Sequence, residues 1–456
     1  MSSNKLKAKS HMENLMEKIV SLAKRRGFIF PGSEIYGGLT GTWDYGPLGV
    51  ELKRNIKNAF WRSMVERRED VVGIDAAILM APKVWEASGH VGAFSDPLVE
   101  CLACHHRFKA DSLPVKEGSG SSGKNNQCPD CGGELSEPKQ FNLLVEAMLG
   151  VVENARQKVY LRGEITQGVH VNFKNVLDST RLKIPFGIAQ IGKTFRNEIT
   201  PGNFTFRSRE FEQMELQFYI KPNSRDAAKW FKYWKEERMK WYLNLGLNKK
   251  NLRFREHAAD EKAHYAKAAW DIEYAAPFEG WKELEGIHNR GDWDLRRHQE
   301  FSGKDLVYTD DKSGKKYLPW IIETSGGVDR AALFFMIDAY DEEKVGAEQR
   351  IVLRLNHKLA PYKIAVFPLL ANKKPLVDLA KKIYLDLKEN FMVAWDDRGN
   401  IGKRYRSQDE IGTPFCATVD FDSLDKKDVT VRDRDTMKQK RVGIAGLKDY
   451  FSVKIE

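Results

Sequence analysis

Between Ile191 and Tyr219 the chain reads IGKTFRNEITPGNFTFRSREFEQMELQFY. Phe195, Arg196 and Glu198 precede a short Pro-Gly-Asn bend, and Arg207, Phe211 and Glu215 follow it at regular intervals. The pattern predicts two strands joined by a loop. An arginine on the first strand offers a planar fork of donors that fits phosphate oxygens and never loses its charge. An aromatic ring on the return strand gives a base a flat surface to stack on. A lone Arg-x-Glu carries almost no information. Together these constrained positions describe a hairpin able to hold a nucleotide.

Two further constellations could do chemistry. Cys101/Cys104 and Cys128/Cys131 form two Cys-x-x-Cys pairs with 23 residues between them. Such pairs on tight turns can gather four thiolates into a tetrahedron suited to zinc, and the glycines after Cys131 ease the turn. A disulfide or a redox dithiol is the other reading, disfavoured in a reducing cytosol. The intervening EGSGSSGKNN is a flexible linker by composition, so a metal here would close a loop structurally. Cys416 stands alone in an apolar run and reads as a small buried residue. From Leu318, LPWIIETSGGVDRAALFFMIDAY passes from an apolar strand through Ser325-Gly326-Gly327 into an apolar helix, with Arg330 near its entrance. Glycines there let backbone approach a ligand closely.

The elements that must position these groups follow from composition and periodicity. A chain of 456 residues should form two or three domains, and its 42% hydrophobic and 30% charged content is that of an ordinary soluble protein. No apolar run nears the ~20 residues of a membrane span. The N-terminus lacks a secretory signal, so no membrane and a cytoplasmic location are expected. Residues 1–12 are polar and expected to be disordered. A net charge of +10 favours a polyanionic partner, the excess being modestly concentrated beyond Tyr362.

Leu15, Ile19 and Leu22 mark a helix over 13–27, and Val50, Ile56 and Phe60 mark another after Gly46-Pro47. The tryptophan-rich DAAKWFKYWKEERMKWYLNLGL reads as a helix whose rings pack into the core. Strands around Trp270–Tyr274 and Trp281–Ile287 alternate, which would put Glu283 and Glu285 on one face. From Tyr362 strands and helices alternate, predicting a mixed α/β domain with a mainly parallel sheet beyond a boundary near His357–Pro361.

The Arg196–Glu215 hairpin resembles motif 2 of the class II aminoacyl-tRNA synthetases. The segment around Gly46-Pro47 resembles their motif 1, and ETSGGVDR (323–330) their motif 3. WDYGPLG (43–49), SGH and FSDP (88–90, 94–97), the first cysteine knuckle running into Arg107–Asp111, RGEITQG (162–168) and GWKELEGIHNRGDWDL (280–295) are similar to the homodimeric glycyl-tRNA synthetases within that family. The likeness runs from about residue 14 to the end. It implies an α+β fold: a catalytic domain over 13–358 built on an antiparallel sheet, with a zinc-knuckle insertion at 98–138. A C-terminal α/β anticodon-binding domain with a mixed sheet follows over 359–456. It further implies a homodimer through motif 1, ATP with magnesium, glycine and tRNA(Gly) as ligands, and ligation of glycine to tRNA.

The resemblance also assigns residues. Arg196 would hold the α-phosphate of ATP and Arg330 the γ-phosphate, Glu198 would accept from the adenine amino group, and Phe211 would stack under the ring. The nucleotide set spans Arg196, Asn197, Glu198, Phe206, Arg207, Ser208, Arg209, Glu210, Phe211, Glu283, Leu284, Gly327, Val328, Asp329 and Arg330. Glu283 would be the magnesium ligand. Around glycine it places Arg107, Glu164, Phe211, Glu212, Gln213, Met214, Glu215, Glu323, Thr324, Ser325, Gly326 and Gly327. Lys403, Arg404, Arg432, Arg434, Thr436 and Gln439 would face the anticodon, with Arg432 and Arg434 on one strand face. One methylene is worth only ~1–3 kcal/mol, so the smallest amino acid would be chosen by filling the space that alanine needs, with Glu323 and Ser325. Gly163, Ile165, Lys282, His288 and Thr324 depart from the family's usual residues, and none of these removes a charged position. Another class II enzyme of prolyl, threonyl or histidyl type, and a non-catalytic nucleic-acid-binding paralogue, are the rival readings. Retention of Arg196, Arg207, Glu283 and Arg330 argues against the latter.

Overall fold

The computed structural model describes residues 2–110, 113, 126–258, 261, 267–278 and 280–455, with backbone alone at 2–13 and 153. The linker expected at 117–126 falls almost wholly outside them. A seven-stranded sheet organises the larger part of the chain. Its strands are β1 (Val71–Gly73), β2 (Phe186–Phe195), β3 (Glu210–Ile220), β4 (Leu252–Glu256), β5 (Ala268–Ala276), β6 (Gly280–Gly291) and β7 (Trp320–Gly327). They lie in the order β4-β5-β6-β7-β3-β2-β1, antiparallel throughout except for β1, which runs parallel to β2 at the edge. The predicted hairpin is β2 and β3, paired from Phe186↔Tyr219 to Phe195↔Glu210.

One face of this sheet is covered by helices α2 (Pro47–Trp61), α4 (Ser224–Asn244) and α6 (Val328–Ala339). Proline at the first position of α2 suits the helical φ and lacks an N–H that would go unused there. Asn223 caps α4 by accepting from the Asp226 amide. Ile56 and Phe60 of α2, Trp234 and Tyr242 of α4, and Phe334 of α6 bury against Leu216, Phe218 and Ile287 of the strands. The tryptophan stripe is core, as its spacing predicts. Val50, read as a buried position of α2, is instead 44% exposed on the outward side of that helix.

The opposite face is partly closed by α3 (Thr166–Val171) and α5 (Trp293–Ser302), which pack with a second cluster around Phe173, Phe186, Tyr219 and Leu295. Before these helices, α1 runs Ser2–Arg25. It takes in all but the first residue of the segment expected to be disordered; residues 2–26 contain neither Gly nor Pro, so nothing in their backbone chemistry stops the helix expected from residue 13 from extending toward the N-terminus.

The expectation that Glu283 and Glu285 share a face is overturned. Glu285 pairs with Ile272 and Glu283 with Glu273, so Leu284 is an extra residue bulged into β6. A bulge breaks the two-residue period of side-chain direction. Leu284 and Glu285 therefore both turn to the helical face, and Glu283 turns to the other. Glu285 takes a bidentate ion pair from Arg238 of α4 at 2.5 and 2.9 Å and a hydrogen bond from the Tyr242 hydroxyl at 2.7 Å.

The C-terminal unit has its own core, in which Ile364, Leu376, Phe415, Val431 and Phe451 are buried together. Its strands β8 (Ile364–Pro368), β9 (Val393–Trp395), β10 (Phe415–Val419), β11 (Asp428–Asp433) and β12 (Gln439–Gly443) lie in the order β9-β8-β10-β11-β12. Helices α7 (Lys374–Lys388), α8 (Ile401–Ile411) and α9 (Leu447–Ile455) complete the alternating pattern. The sheet is mixed and not mainly parallel: β8 is parallel to β9 and β10, whereas β10–β11 and β11–β12 are antiparallel. The difference is the tight turn between β11 and β12, which makes a hairpin where the sequence signalled no second strand. Cys416 is buried in β10 beside Ala365 and Phe367.

Truncating Glu285 strands Arg238 in the core without a counter-charge. Glu285→Ala is expected to cost about 3–5 kcal/mol, read from urea unfolding, and Glu285→Ala with Arg238→Met to recover part of that loss.

Candidate active site

Strands β3, β6 and β7 and the hairpin loop enclose a cavity of about 170 Å³ on the sheet face away from the helical layer. Side chains alternate across a strand, and this selects from the consecutive runs named above. Phe211, Gln213 and Glu215 of β3 line the cavity with Glu323 and Ser325 of β7. Met214 and Leu284 are buried in the opposite core, as is Val328. Thr324 is fully buried and outside the lining, and Glu212 faces Lys53 and Lys57 behind the sheet. Gly326 and Gly327 both border the cavity. A Cβ on Gly326 would come within 2.8 Å of a Glu285 oxygen that Arg238 and Tyr242 hold in place, so a larger residue there would disturb that clamp.

Register places Glu215 opposite Ser325 and Glu323 opposite His288. Glu323 accepts from His288 at 2.8 Å, from Arg290 at 3.1 Å and from Gln217 at 3.0 Å. Glu164 lies 3.3 Å from His90 and accepts from Gln167 at 2.9 Å. Glu215 is different. It accepts from the hydroxyls of Thr166 and Ser325, each at 2.6 Å, and among the described residues it forms no ion pair. Burial and the nearby Glu323 and Glu164 carboxylates push its carboxyl up to about 8. Burial also works to raise Glu323, but Arg290 and His288 outweigh it and hold that carboxyl well below its usual range. For Glu164 burial is likewise outweighed, by His90 and Arg290, and the carboxyl is held down to about 2. The three acids therefore differ in kind: two are compensated anions, and the third is a buried carboxyl lacking a cation.

Arginines gather at the other end of the cavity. Arg196 bonds the Gly163 carbonyl at 3.0 Å and lies over Phe94 and Phe211, 5.2 and 5.3 Å from their ring centres. Arg330 pairs with Glu283 at 3.2 Å and lies 4.6 Å above the Phe206 ring. Glu198 faces Arg207 at 3.9 Å. Ser208 and Asp329 also border this end. Glu283, half-exposed at the rim, is turned toward the cavity by the bulge described above.

Several expected residues are elsewhere. Arg107 lies on the knuckle arm with its side chain 64% exposed, paired with Glu100 and outside the cavity. Asn197 and Arg209 brace the hairpin loop, the former through its amide to Leu143, the latter to the carbonyls of Thr40 and Glu198. Glu210 pairs with Lys193 on the surface. In the C-terminal unit Arg404, Arg432 and Arg434 are buried. Arg404 donates to the carbonyls of Pro368, Asp397 and Gly399, Arg432 grips Asp409 at 2.8 and 3.0 Å, and Arg434 pairs with Asp435 at 2.9 Å. Arg434 lies just past the end of β11, so the two arginines do not form an open strand face. Burying a guanidinium requires that its donors be met, and these three are committed to the protein. Lys403, Thr436 and Gln439 remain exposed.

The four knuckle sulfurs converge as expected, all within 4.8 Å of one another. Amides of Cys104 and Gly133 donate to sulfur at 3.4 Å, the orientation that stabilises thiolate. Four soft donors at this spacing fit a tetrahedral metal.

Thr166, Gln217, His288 and Arg290 were not named as site residues from sequence, yet they fix the acid cluster. Alternation from Glu215 would have flagged Gln217. His288, one of the departures from the family pattern, bonds Glu323 directly. Arg290 lies on the strand leading away from the site and gave no sign of its own.

A family model for the class II tRNA synthetase core domain (G, H, P, S and T) matches residues 149–339, and one for an anticodon binding domain matches residues 363–454. The chain is 53% identical over 464 residues to the glycine–tRNA ligase of Alkaliphilus oremlandii (strain OhILAs), covering 97% of this chain and 99% of that protein. It is 54% identical over 460 residues to that of Caldanaerobacter subterraneus subsp. tengcongensis, covering 97% and 98%. It is 52% identical over 446 residues to that of Borreliella burgdorferi (strain ATCC 35210), covering 96% and 97%.

The Glu215 carboxyl is raised, so its contribution to stability is complete below the ordinary carboxylate range and is lost as pH rises through about 8. Glu215→Gln has no such proton to lose. Relative to this variant, the unmutated chain should lose on the order of 3 kcal/mol between pH 5 and pH 9, measured by denaturant unfolding at each pH.

Proposed function

The chain belongs to the glycyl-tRNA synthetases, with a class II core and an anticodon-binding domain, and from this we propose that the cavity between β3, β6 and β7 is where glycine is activated by ATP. The supporting observation is one cavity with two opposite ends: an acidic end in which Glu215 lacks a cation, and an end lined by Arg196 and Arg330. The glycine ammonium supplies the cation that Glu215 lacks, and Glu164 and Glu323 border the same space. The triphosphate lies along the arginines.

In the first step a glycine carboxylate oxygen attacks the α-phosphorus, the bond to the bridging oxygen breaks, and pyrophosphate leaves. The terminal ribose hydroxyl of tRNA then takes the glycyl group and AMP departs. In the second step the hydroxyl proton leaves with the AMP phosphate, and the first demands little proton transfer from the protein. Its part is to bend the nucleotide, oppose developing charge and align the attacking oxygen. Arg196 is held on the α-phosphate side by the Gly163 carbonyl, and Arg330 takes the γ-phosphate from the entrance of α6. Phe211 carries the adenine, with Glu198 accepting from its amino group. Glu283, turned inward by the bulge, is the carboxylate for magnesium, which would neutralise phosphate charge when bound.

Selection against larger amino acids falls to the Ser325 hydroxyl and the Glu323 carboxylate, both fixed by hydrogen bonds and unable to swing aside freely. The four cysteines hold a structural zinc. We assign 13–358 to the catalytic domain and 359–456 to the anticodon-binding domain; the latter has a core of its own, while its Leu359 and Ile411 pack into the larger one. Of the residues expected to face tRNA, Lys403, Thr436 and Gln439 are the exposed ones. Association as a homodimer uses the outward side of α2, and no described helix is long and apolar enough to cross a membrane. The protein is expected to work in the cytoplasm.

Purified chain should catalyse pyrophosphate exchange with ATP that depends on glycine; exchange supported by proline, threonine or histidine, or none at all, would refute this reading. Arg196→Ala and Arg330→Ala should each lower kcat/KM by roughly 100-fold or more. Ser325→Ala should increase alanine-supported exchange relative to glycine, and unchanged discrimination would disprove selection by filling. Zinc removal by a chelator should lower Tm, with one zinc per chain found by elemental analysis beforehand.

A further inference from the structure

Lys53 reaches the sheet from the face opposite the cavity. It stands on α2 with only 5% of its surface exposed, and its Nζ lies 2.8 Å from Asp329 Oδ1 and 2.8 Å from Glu212 Oε2. The Tyr45 ring centre is 4.0 Å from the same atom. Asp329 accepts the backbone N–H of Glu212 at 2.6 Å through its other oxygen. Lys57, one turn further along α2, bonds Glu212 Oε1 at 3.0 Å, so two lysines balance two carboxylates. Burial works to depress the Lys53 ammonium, and Asp329 and Glu212 more than offset it, so the group stays charged.

The two carboxylates belong to the two walls of the nucleotide end. Glu212 sits on β3 between Phe211 and Gln213, both of which line the cavity. Asp329 occupies the first turn of α6 and immediately precedes Arg330. The remaining polar contacts of Arg330, to Glu283 and to the Phe206 carbonyl, are 3.2 to 3.3 Å long. Its placement therefore leans on the helix entrance that Lys53 secures. Resting on the reading of the cavity given above, we infer that Lys53 is a positioning residue for the nucleotide: by joining Asp329 to Glu212 it fixes the helix entrance that carries Arg330 relative to the strand that carries Phe211. It thereby ties ATP affinity to the seating of α2.

The test is pyrophosphate exchange by the full chain. Lys53→Met should raise the KM for ATP roughly tenfold and leave the KM for glycine within about twofold. Lys53→Arg should restore most of the ATP affinity. Lys57→Met should behave as the unmutated chain, because Lys57 is partly exposed, pairs among the described residues with Glu212 and not Asp329, and can be replaced by water. An unchanged ATP KM in Lys53→Met, an equal rise for both substrates, or the same effect from Lys57→Met would overturn the inference. Should Lys53→Met not fold, Lys53→Met with Asp329→Asn is compared with Asp329→Asn alone. Equal ATP KM values support the link, and an additional rise refutes it. Absence of glycine-dependent exchange in the unmutated chain would defeat the site assignment instead, and equilibrium ATP binding to the same variants would then judge Lys53 by the same criteria.

Discussion

Glu323 accepts hydrogen bonds from His288, Arg290, Gln217 and Thr166, and the same Thr166 hydroxyl reaches Glu215. Two buried carboxylates on adjacent strands are thus joined through one small residue, while the cations serve only one of them. Like charges this close in a water-poor site do not both ionise freely. Arg290 and His288 hold the compensated acid toward its charged form, and burial beside that charge holds the uncompensated one toward its protonated form. On the function proposed above, this asymmetry is what would suit the sheet surface to an ammonium group. Any substrate large enough to displace Ser325 would have to break the hydrogen bonds that maintain it.

The rest of the larger unit can be understood as the means of holding β3, β6 and β7 in the register that brings Glu215, Ser325 and His288 together. Apolar burial against α2, α4 and α6 supplies most of the adhesion but is not directional. Direction comes from charged groups behind the sheet. Arg238 and Tyr242 clamp Glu285 next to the bulge, and Lys53 clamps Asp329 to Glu212. The bulge is the point at which geometry and function meet. One inserted residue sends Glu285 back to the clamp and leaves Glu283 at the cavity rim.

In the C-terminal unit the basic residues have two fates. Arg404, Arg432 and Arg434 are internal struts, and Asp409 anchors both Arg432 and Arg350. This connects the C-terminal sheet to the strand Glu348–Leu353 that follows α6. The charge excess that points to a polyanionic partner is thus smaller on the accessible surface than a count of arginines implies, and lysines carry more of it.

Much of this was legible in the order of residues. The β2–β3 hairpin, the strand-to-helix passage at Ser325–Arg330, the converging cysteines and the buried tryptophan helix all rest on local spacing, which backbone geometry converts directly into position. Consecutive runs such as Phe211–Glu215 were legible only as runs; knowing which face of β3 lies inward requires its neighbours. The positions of Glu283 and Glu285 depended on a bulge that shows only when β5 and β6 are paired. Whether an arginine meets RNA or carries internal carbonyls depends on burial, and burial is set by segments far away in the chain. Lys53 and Asp329 are 276 residues apart, and their contact exists because α2 packs against α6. Local chemistry belongs to the sequence. Facing, burial and the pairing of distant charges belong to the closed fold, because only there do strands have neighbours and ions lose water.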